Sequence, residues 1–288
     1  MNLSHPLELK LLLQRHGFSF SKSLGQNFLI DEHILDQIVA ASGLNNDLCA
    51  LEIGPGAGTL TQKLAMCAKQ VVAVEIDKAL IPVLNETMAG FDNFKLFNAD
   101  IMQVDLMQLV KEEFGSQPFI VVANLPYYIT TPIVMNLLEN TLPVRSLTLM
   151  VQKEVAARMT AQNAGKDYGA LSVAVQYHTS PSLVCKAEPH CFIPQPKVSS
   201  SVIHLDVLAS PAVSVQDEKF FFQVVKSAFG QRRKTLVNAL TKSPYIHIEK
   251  EKVLSALDQM GISNTIRGEK LSIQQFAELS NTLFTASL

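Results

Sequence analysis

Short apolar runs that each stop at a polar or glycine-rich position constrain this chain more than any other feature. Residues 48–53 run into Gly54-Pro55-Gly56-Ala57-Gly58, residues 71–74 into Glu75, 94–97 towards Asp100, 119–123 into Asn124, and 146–151 into Gln152. Strands buried on both faces read as continuous apolar stretches, not as alternation. After the first run Leu60, Leu64 and Ala68 recur at helical spacing, and Leu84 and Met88 continue that period after the second. Strands alternating with helices predict an α/β fold with a doubly wound, mostly parallel Rossmann-like sheet. Such sheets bind ligands just beyond their carboxyl edge, where the terminal polar residues fall.

The pattern changes after about residue 205. Asp217 is placed to cap a helix carrying Phe220, Phe221, Val224, Val225 and Ala228 on one face, with Gly230 to end it. Helical periodicity continues over residues 235–240, 252–260 and 273–283. The expected organisation is a catalytic domain over residues 1–208, preceded by an N-terminal arm, and a small helical domain over residues 209–288.

At 288 residues and 48% hydrophobic, the chain can bury a sizeable core. Apolar runs are broken by charges well short of the roughly 18 residues a membrane helix needs, and the first eight residues lack signal-peptide character. A soluble, cytoplasmic protein with no membrane partner is expected. Cys49, Cys67, Cys185 and Cys191 show no C-x-x-C spacing, which fits a reducing compartment. A metal site built from His178, Cys185, His190 and Cys191 would need irregular spacings, so no metal is expected. The net charge is −2, yet six basic and no acidic residues occupy positions 219–248, and Lys10, Arg15 and Lys22 share an acid-free stretch between Glu8 and Asp31. These are candidate phosphate contacts.

Glycine accepts backbone dihedrals that other residues avoid, so the loop at positions 54–58 permits close approach to a ligand. Glu75, roughly 20 residues on, is placed to accept the hydroxyls of a ribose. A dinucleotide and S-adenosylmethionine both fit these features. Glu52, two residues before the first glycine, can meet a cofactor cation and favours the sulfonium. Asp100 is placed to accept from an adenine amine, or to cap a helix.

Asn124-Leu125-Pro126-Tyr127 is the most specific signal. The amino nitrogen of adenine is a poor nucleophile because its lone pair is delocalised into the ring. Two carbonyl acceptors, Asn124 by its side chain and Leu125 by its backbone, would draw that nitrogen towards tetrahedral geometry and aim its lone pair at a methyl carbon. Pro126 fixes the turn and Tyr127 can stack on the base, worth roughly 1–3 kcal/mol.

On these and further residues the chain resembles the small-subunit ribosomal RNA adenine dimethyltransferases, the KsgA type, over nearly its whole length. The matching stretches are Gly25-Gln26-Asn27-Phe28-Leu29, residues 52–61, Val74-Glu75-Ile76-Asp77, Asn124-Leu125-Pro126-Tyr127-Tyr128-Ile129, residues 152–159, residues 168–172, Phe192-Ile193-Pro194-Gln195-Pro196-Lys197-Val198 and residues 229–236. The resemblance implies S-adenosyl-L-methionine as cofactor, held by Asn27, Leu29, Gly54, Gly56, Glu75, Ile76, Asp100, Ile101 and Asn124. It implies Phe192 as a second aromatic wall for the target base, where composition alone reads core. Lys22, Arg232, Arg233 and Lys234 are the implied RNA contacts. The implied substrate is a pair of adjacent adenosines in a hairpin near the 3′ end of the small-subunit RNA, met as a monomer on the immature 30S subunit. The chain departs from the family pattern at Gly268-Glu269-Lys270 and in its acidic balance. Two other readings stand beside this one: a large-subunit dimethylase of the antibiotic-resistance type, and a non-catalytic assembly factor.

Overall fold

The computed structural model describes residues 1–21, 24–115, 117–140 and 142–286. Along it run α1 (Pro6–Arg15), β1 (Phe28–Leu29), α2 (Glu32–Ser42), β2 (Cys49–Ile53), α3 (Thr59–Ala65), β3 (Gln70–Glu75), α4 (Ile81–Thr87), β4 (Phe94–Asn98), α5 (Leu106–Phe114), β5 (Phe119–Asn124), α6 (Thr130–Glu139) and β6 (Val144–Gln152). They are followed by α7 (Lys153–Thr160), α8 (Ala170–His178), β7 (Thr179–Ala187), β8 (Phe192–Ile193), β9 (Ser200–Val207), α9 (Glu218–Gly230), α10 (Leu236–Thr241), α11 (Lys250–Gln259) and α12 (Ile273–Thr285).

The five apolar runs are the five strands β2 to β6. Leu51, Val72 and Val121, within β2, β3 and β5, are each 0% exposed, and burying one such side chain contributes roughly 1.5–3 kcal/mol. Seven strands form one sheet in the order β4-β3-β2-β5-β6-β9-β7. From β4 to β6 every pairing is parallel, and β9 joins β6 antiparallel. The chain builds outward from β2 through β3 and β4, then resumes on the other side with β5 and β6. The switch point therefore lies between β2 and β5. Ile53 stands opposite Val74 on one side and Ala123 on the other, so Gly54, Glu75 and Asn124 emerge abreast at one edge.

Side-chain caps set several helix starts. Asp31 accepts from the Ile34 N–H at 3.1 Å and Asp105 from Gln108 at 3.0 Å, each satisfying a backbone donor that the first turn leaves without a partner. Beside the main sheet, β1 and β8 pair antiparallel, with Leu29 opposite Phe192. This ties the N-terminal arm to the stretch before β9.

The chain divides into two compact units, residues 1–156 with 181–207, and residues 157–180 with 208–288. A single cut at residue 208 assigns 157–180 to the first unit, whereas these residues belong to the second. The reason is packing: Tyr168, Val173 and Tyr177 lie in one apolar core with Phe221, Val225, Leu236 and Phe276, and Tyr168 meets Phe229 edge-on at 5.6 Å. Within this unit Asp217 caps α9, as its position predicts, accepting from Phe220 N–H at 2.6 Å. Gly230 is the last residue of α9, and the cap after it is Gln231. Ser272 and Gln275 form a reciprocal capping box at the start of α12.

Candidate active site

A cleft opens at the carboxyl edge of the sheet, within the first unit. Its walls come from the arm (Gly25 to Leu29), the loop after β2, the end of β3, and Asn124 to Tyr128 after β5. The loop bends because Gly54 and Gly56 take φ of 68° and 63°, a region that side chains strain. At Gly56 a Cβ would also stand 3.0 Å from the Phe28 ring, so the glycine lets the arm lie against the loop.

Glu75 is 4% exposed. Its Oε2 accepts from Gly56 N–H at 3.2 Å and its Oε1 from Asp77 N–H at 2.8 Å. Burial raises its pKa, and these two backbone donors work against that shift. Each oxygen keeps a further lone pair for a ligand hydroxyl. Ile76 lines the cleft beside it and is 46% exposed, an apolar surface open to a planar ring. Glu52 is 1% exposed, and burial pushes its carboxyl up to about 8, with Thr61 opposing and the Glu75 charge reinforcing. Its Oε2 is shut off from solvent and has no hydrogen-bond partner among the described residues, so the carboxyl can answer a cation in the cleft through its charge and not by an open oxygen.

Asn124 donates from Nδ2 to the Asn27 backbone carbonyl at 2.9 Å. That bond orients the amide, so Oδ1 remains as an acceptor. Leu125 N–H is used by the Met150 carbonyl at 3.1 Å, while no hydrogen bond among the described residues takes up the Leu125 carbonyl. The turn behind it is fixed by Pro126, whose carbonyl accepts from Thr130 Oγ1 at 3.0 Å. Tyr127 shares a hydrogen bond of 2.8 Å with Ser200 Oγ, and burial raises its phenol pKa, so the ring stays neutral. The site therefore offers two carbonyl acceptors and an aromatic ring, with no ionised base among these residues.

Asn27, Leu29, Gly54, Gly56, Glu75, Ile76, Asn124, Leu125, Pro126 and Tyr127 are thus gathered in one cleft. Asp100, Ile101 and Phe192 do not line it. Asp100 Oδ1 accepts from Met102 N–H at 3.0 Å, capping a turn, because a carboxylate two residues before an N–H closes an Asx-type ring. Ile101 is 7% exposed and Phe192 1%. Phe192 packs behind Leu29 as a core residue, and the exposed aromatic on the cleft is instead Tyr128, at 58%. The doubled tyrosine at 127–128 was its signal in the sequence. Gln26 is a second addition: Nε2 donates to Asp77 at 2.6 Å, tying the arm to the residues after Glu75.

Lys22 lies outside the described residues. Arg232, expected to face RNA, donates to the carbonyls of Lys166 and Tyr168 at 3.0 and 3.3 Å and pairs with Glu269 at 3.3 Å. It braces the second unit from its surface, its side chain 46% exposed, and Glu269 of the divergent Gly268-Glu269-Lys270 stretch is its counter-ion. Arg233 and Lys234 are exposed and have no ion pair among the described residues. Of the four residues weighed for a metal, His190 and Cys191 come together with Asp31, one ligand atom of each lying within 4.8 Å of the others. The Cys191 thiol donates to Asp31 at 3.4 Å, and burial raises its pKa, so the thiol keeps its proton.

A doubly wound sheet with a glycine loop after its first strand, a buried acid after the second and an acceptor-bearing asparagine after the fourth defines a Rossmann-like methyltransferase. Residues 17–284 match the family described as ribosomal RNA adenine dimethylase, and the chain belongs to it. Its methyl donor is S-adenosylmethionine. The chain is 50% identical to the ribosomal RNA small subunit methyltransferase A of Alkaliphilus oremlandii, over 98% of each chain. It is 49% identical to that of Geobacillus thermodenitrificans, over 98% of this chain and 97% of that one. Among solved structures, a dimethyladenosine transferase from Plasmodium falciparum aligns with a TM-score of 0.75 at 25% identity, over 88% of this chain and 95% of that one. The 23S rRNA methyltransferase ErmE aligns with a TM-score of 0.68 at 28% identity, over 90% of this chain and all of that one. No helix of the described residues is long and apolar enough to cross a membrane.

Proposed function

We propose that this enzyme dimethylates N6 of two adjacent adenosines in a hairpin near the 3′ end of small-subunit ribosomal RNA, acting as a monomer on the immature 30S subunit in the cytoplasm. The observation that carries the reaction is the Asn124 amide, anchored by Nδ2 to Asn27 and free at Oδ1 beside the Leu125 carbonyl. These two oxygens accept the N–H groups of the target amine, hold its nitrogen pyramidal and direct the lone pair. Tyr127 supplies the face on which a flipped base stacks. Asn27, Leu29, Gly54, Gly56, Glu75 and Ile76 would hold S-adenosylmethionine, which supplies an electrophilic methyl carbon.

The small subunit is favoured over the large one by similarity along the whole chain. Relatives named for the small subunit share about half their residues with it, against 28% for the large-subunit enzyme ErmE. The intact acceptor pair and Glu75 argue against a non-catalytic assembly factor. Methylation of purified immature small subunits, with large-subunit RNA as control, tests the reading. Methyl incorporation into the small subunit is the expected result, and preference for large-subunit RNA would overturn it.

A further inference from the structure

Glu52 is a buried acid of the cleft whose carboxyl is incompletely satisfied. Its carboxyl is 1% exposed, and Oε2 has no hydrogen-bond partner among the described residues. The charges near it are unfavourable: Glu75 faces it from the end of β3, and from α3 only the neutral Thr61 hydroxyl opposes the effect of burial. No histidine, lysine or arginine lines the cleft among the described residues. A buried ionisable group without compensation neutralises itself instead of carrying its charge. Glu75 cannot play that part as readily, since the Gly56 and Asp77 N–H groups already hold its carboxylate.

We propose that Glu52 is a proton-linked sensor of the sulfonium charge: it keeps a proton while the cleft holds no sulfonium and releases it to solvent when the donor binds, so the cleft discriminates the donor from its thioether product, which shares the donor's ammonium and lacks its sulfonium. This rests on S-adenosylmethionine as the methyl donor and extends that reading. Coupling between a cation and a carboxyl is reciprocal, so whatever affinity the ionised Glu52 adds for the cation equals the fall in its own proton affinity. The chemical step then reverses the linkage. Methyl transfer breaks the sulfur–carbon bond, forms the nitrogen–carbon bond and removes the positive charge from sulfur. The amine sheds one proton and Glu52 takes one up, both exchanging with solvent. The product is left beside a neutral acid and loses the attraction that held the donor.

The test is calorimetric titration of the full chain at pH 7 with S-adenosylmethionine and with S-adenosylhomocysteine, in two buffers of different ionisation enthalpy, using wild type and Glu52→Gln. About one proton more is released per donor bound to wild type than to the variant, a difference that cancels the ligand's own titration. The product shows a difference close to zero. Donor affinity of wild type relative to the variant rises about tenfold per pH unit between pH 6 and 7.5. Equal proton release by the two proteins, or by the two ligands, overturns the proposal. Should Glu52→Gln not fold, the wild-type ligand comparison and pH profile carry the test, and a donor affinity flat from pH 6 to 7.5 overturns it. Absence of any donor binding to wild type would instead sink the cofactor reading, a result distinct from binding without proton release.

Discussion

Asn124 Nδ2 and the Asn27 backbone carbonyl lie 2.9 Å apart, joined by a hydrogen bond that spans 97 residues of sequence. The arm that lines the cleft therefore also decides which end of the Asn124 amide faces the substrate. Asn27 in turn donates from its own Nδ2 to the Gly25 carbonyl at 2.9 Å, which stiffens the arm at that point.

This bond predicts that Asn124→Asp is nearly as damaging as Asn124→Ala. Aspartate keeps an acceptor but has no N–H to give Asn27, and it sets a negative charge against a carbonyl. Both variants should lose about 10²–10³-fold in kcat, with RNA affinity largely spared. Single-turnover methyl transfer with parallel RNA-binding measurements checks this, and wild-type turnover in Asn124→Asp would contradict it.

Gly56→Ala should lower stability by about 1–3 kcal/mol. The residue sits at φ 63°, and the added methyl meets the Phe28 ring at 3.0 Å. Denaturant unfolding measures the loss. Because the strain displaces the arm from the loop, cofactor affinity should fall with it.

Stability of the ligand-free protein should decline as pH rises from about 5 to 8. Burial raises the Glu52 carboxyl from an ordinary value of 4.5 to about 8, so between those values the folded chain binds more protons than the unfolded one. Its contribution is complete below 4.5 and is lost as pH approaches 8. Thermal unfolding across this range should show a shallower decline in Glu52→Gln. Parallel profiles for the two proteins would mean the carboxyl is not perturbed in this way.

Arg232 and its two neighbours should separate by assay. Arg232→Ala breaks contacts to Lys166, Tyr168 and Glu269 and should cost about 1 kcal/mol of stability, reduced by the partial exposure of the pair. Replacing Arg233 and Lys234 together should leave the Tm in place and lower the salt dependence of RNA binding by about 1.5 in log–log slope. An unchanged slope would reduce them to a solvated face.

Most of the parallel half of the sheet was legible because β2, β3 and β5, buried on both faces, leave unbroken apolar runs, and their polar ends marked Gly54, Glu75 and Asn124 directly; the edge strand β4 is only partly covered. Strand β7 was not, since exposed, intermediate and buried positions mix along Thr179–Ala187 and blur any period. Two-residue strands such as β1 and β8 carry no periodicity at all. The membership of residues 157–180 in the second unit depends on long-range packing of Tyr168 and Tyr177, which no local pattern encodes.

Within the site, the Leu125 backbone acceptor was readable from its place in the tetrapeptide, whereas the backbone partner that orients Asn124 was not. The partner of Asn124 is a carbonyl, and every residue has one. Asp100 and Arg232 show the converse: a residue type suited to a ligand is equally suited to a turn cap or a strut, and here Asp100 Oδ1 caps a turn and Arg232 braces its own unit.

Mass-spectrometric mapping of dimethyladenosine in ribosomal RNA, from cells with and without this protein, tests the central claim most directly. Two adjacent dimethylated adenosines near the 3′ end of the small-subunit RNA should be present with it and absent without it. An unchanged small-subunit pattern, or loss confined to large-subunit RNA, would contradict the account.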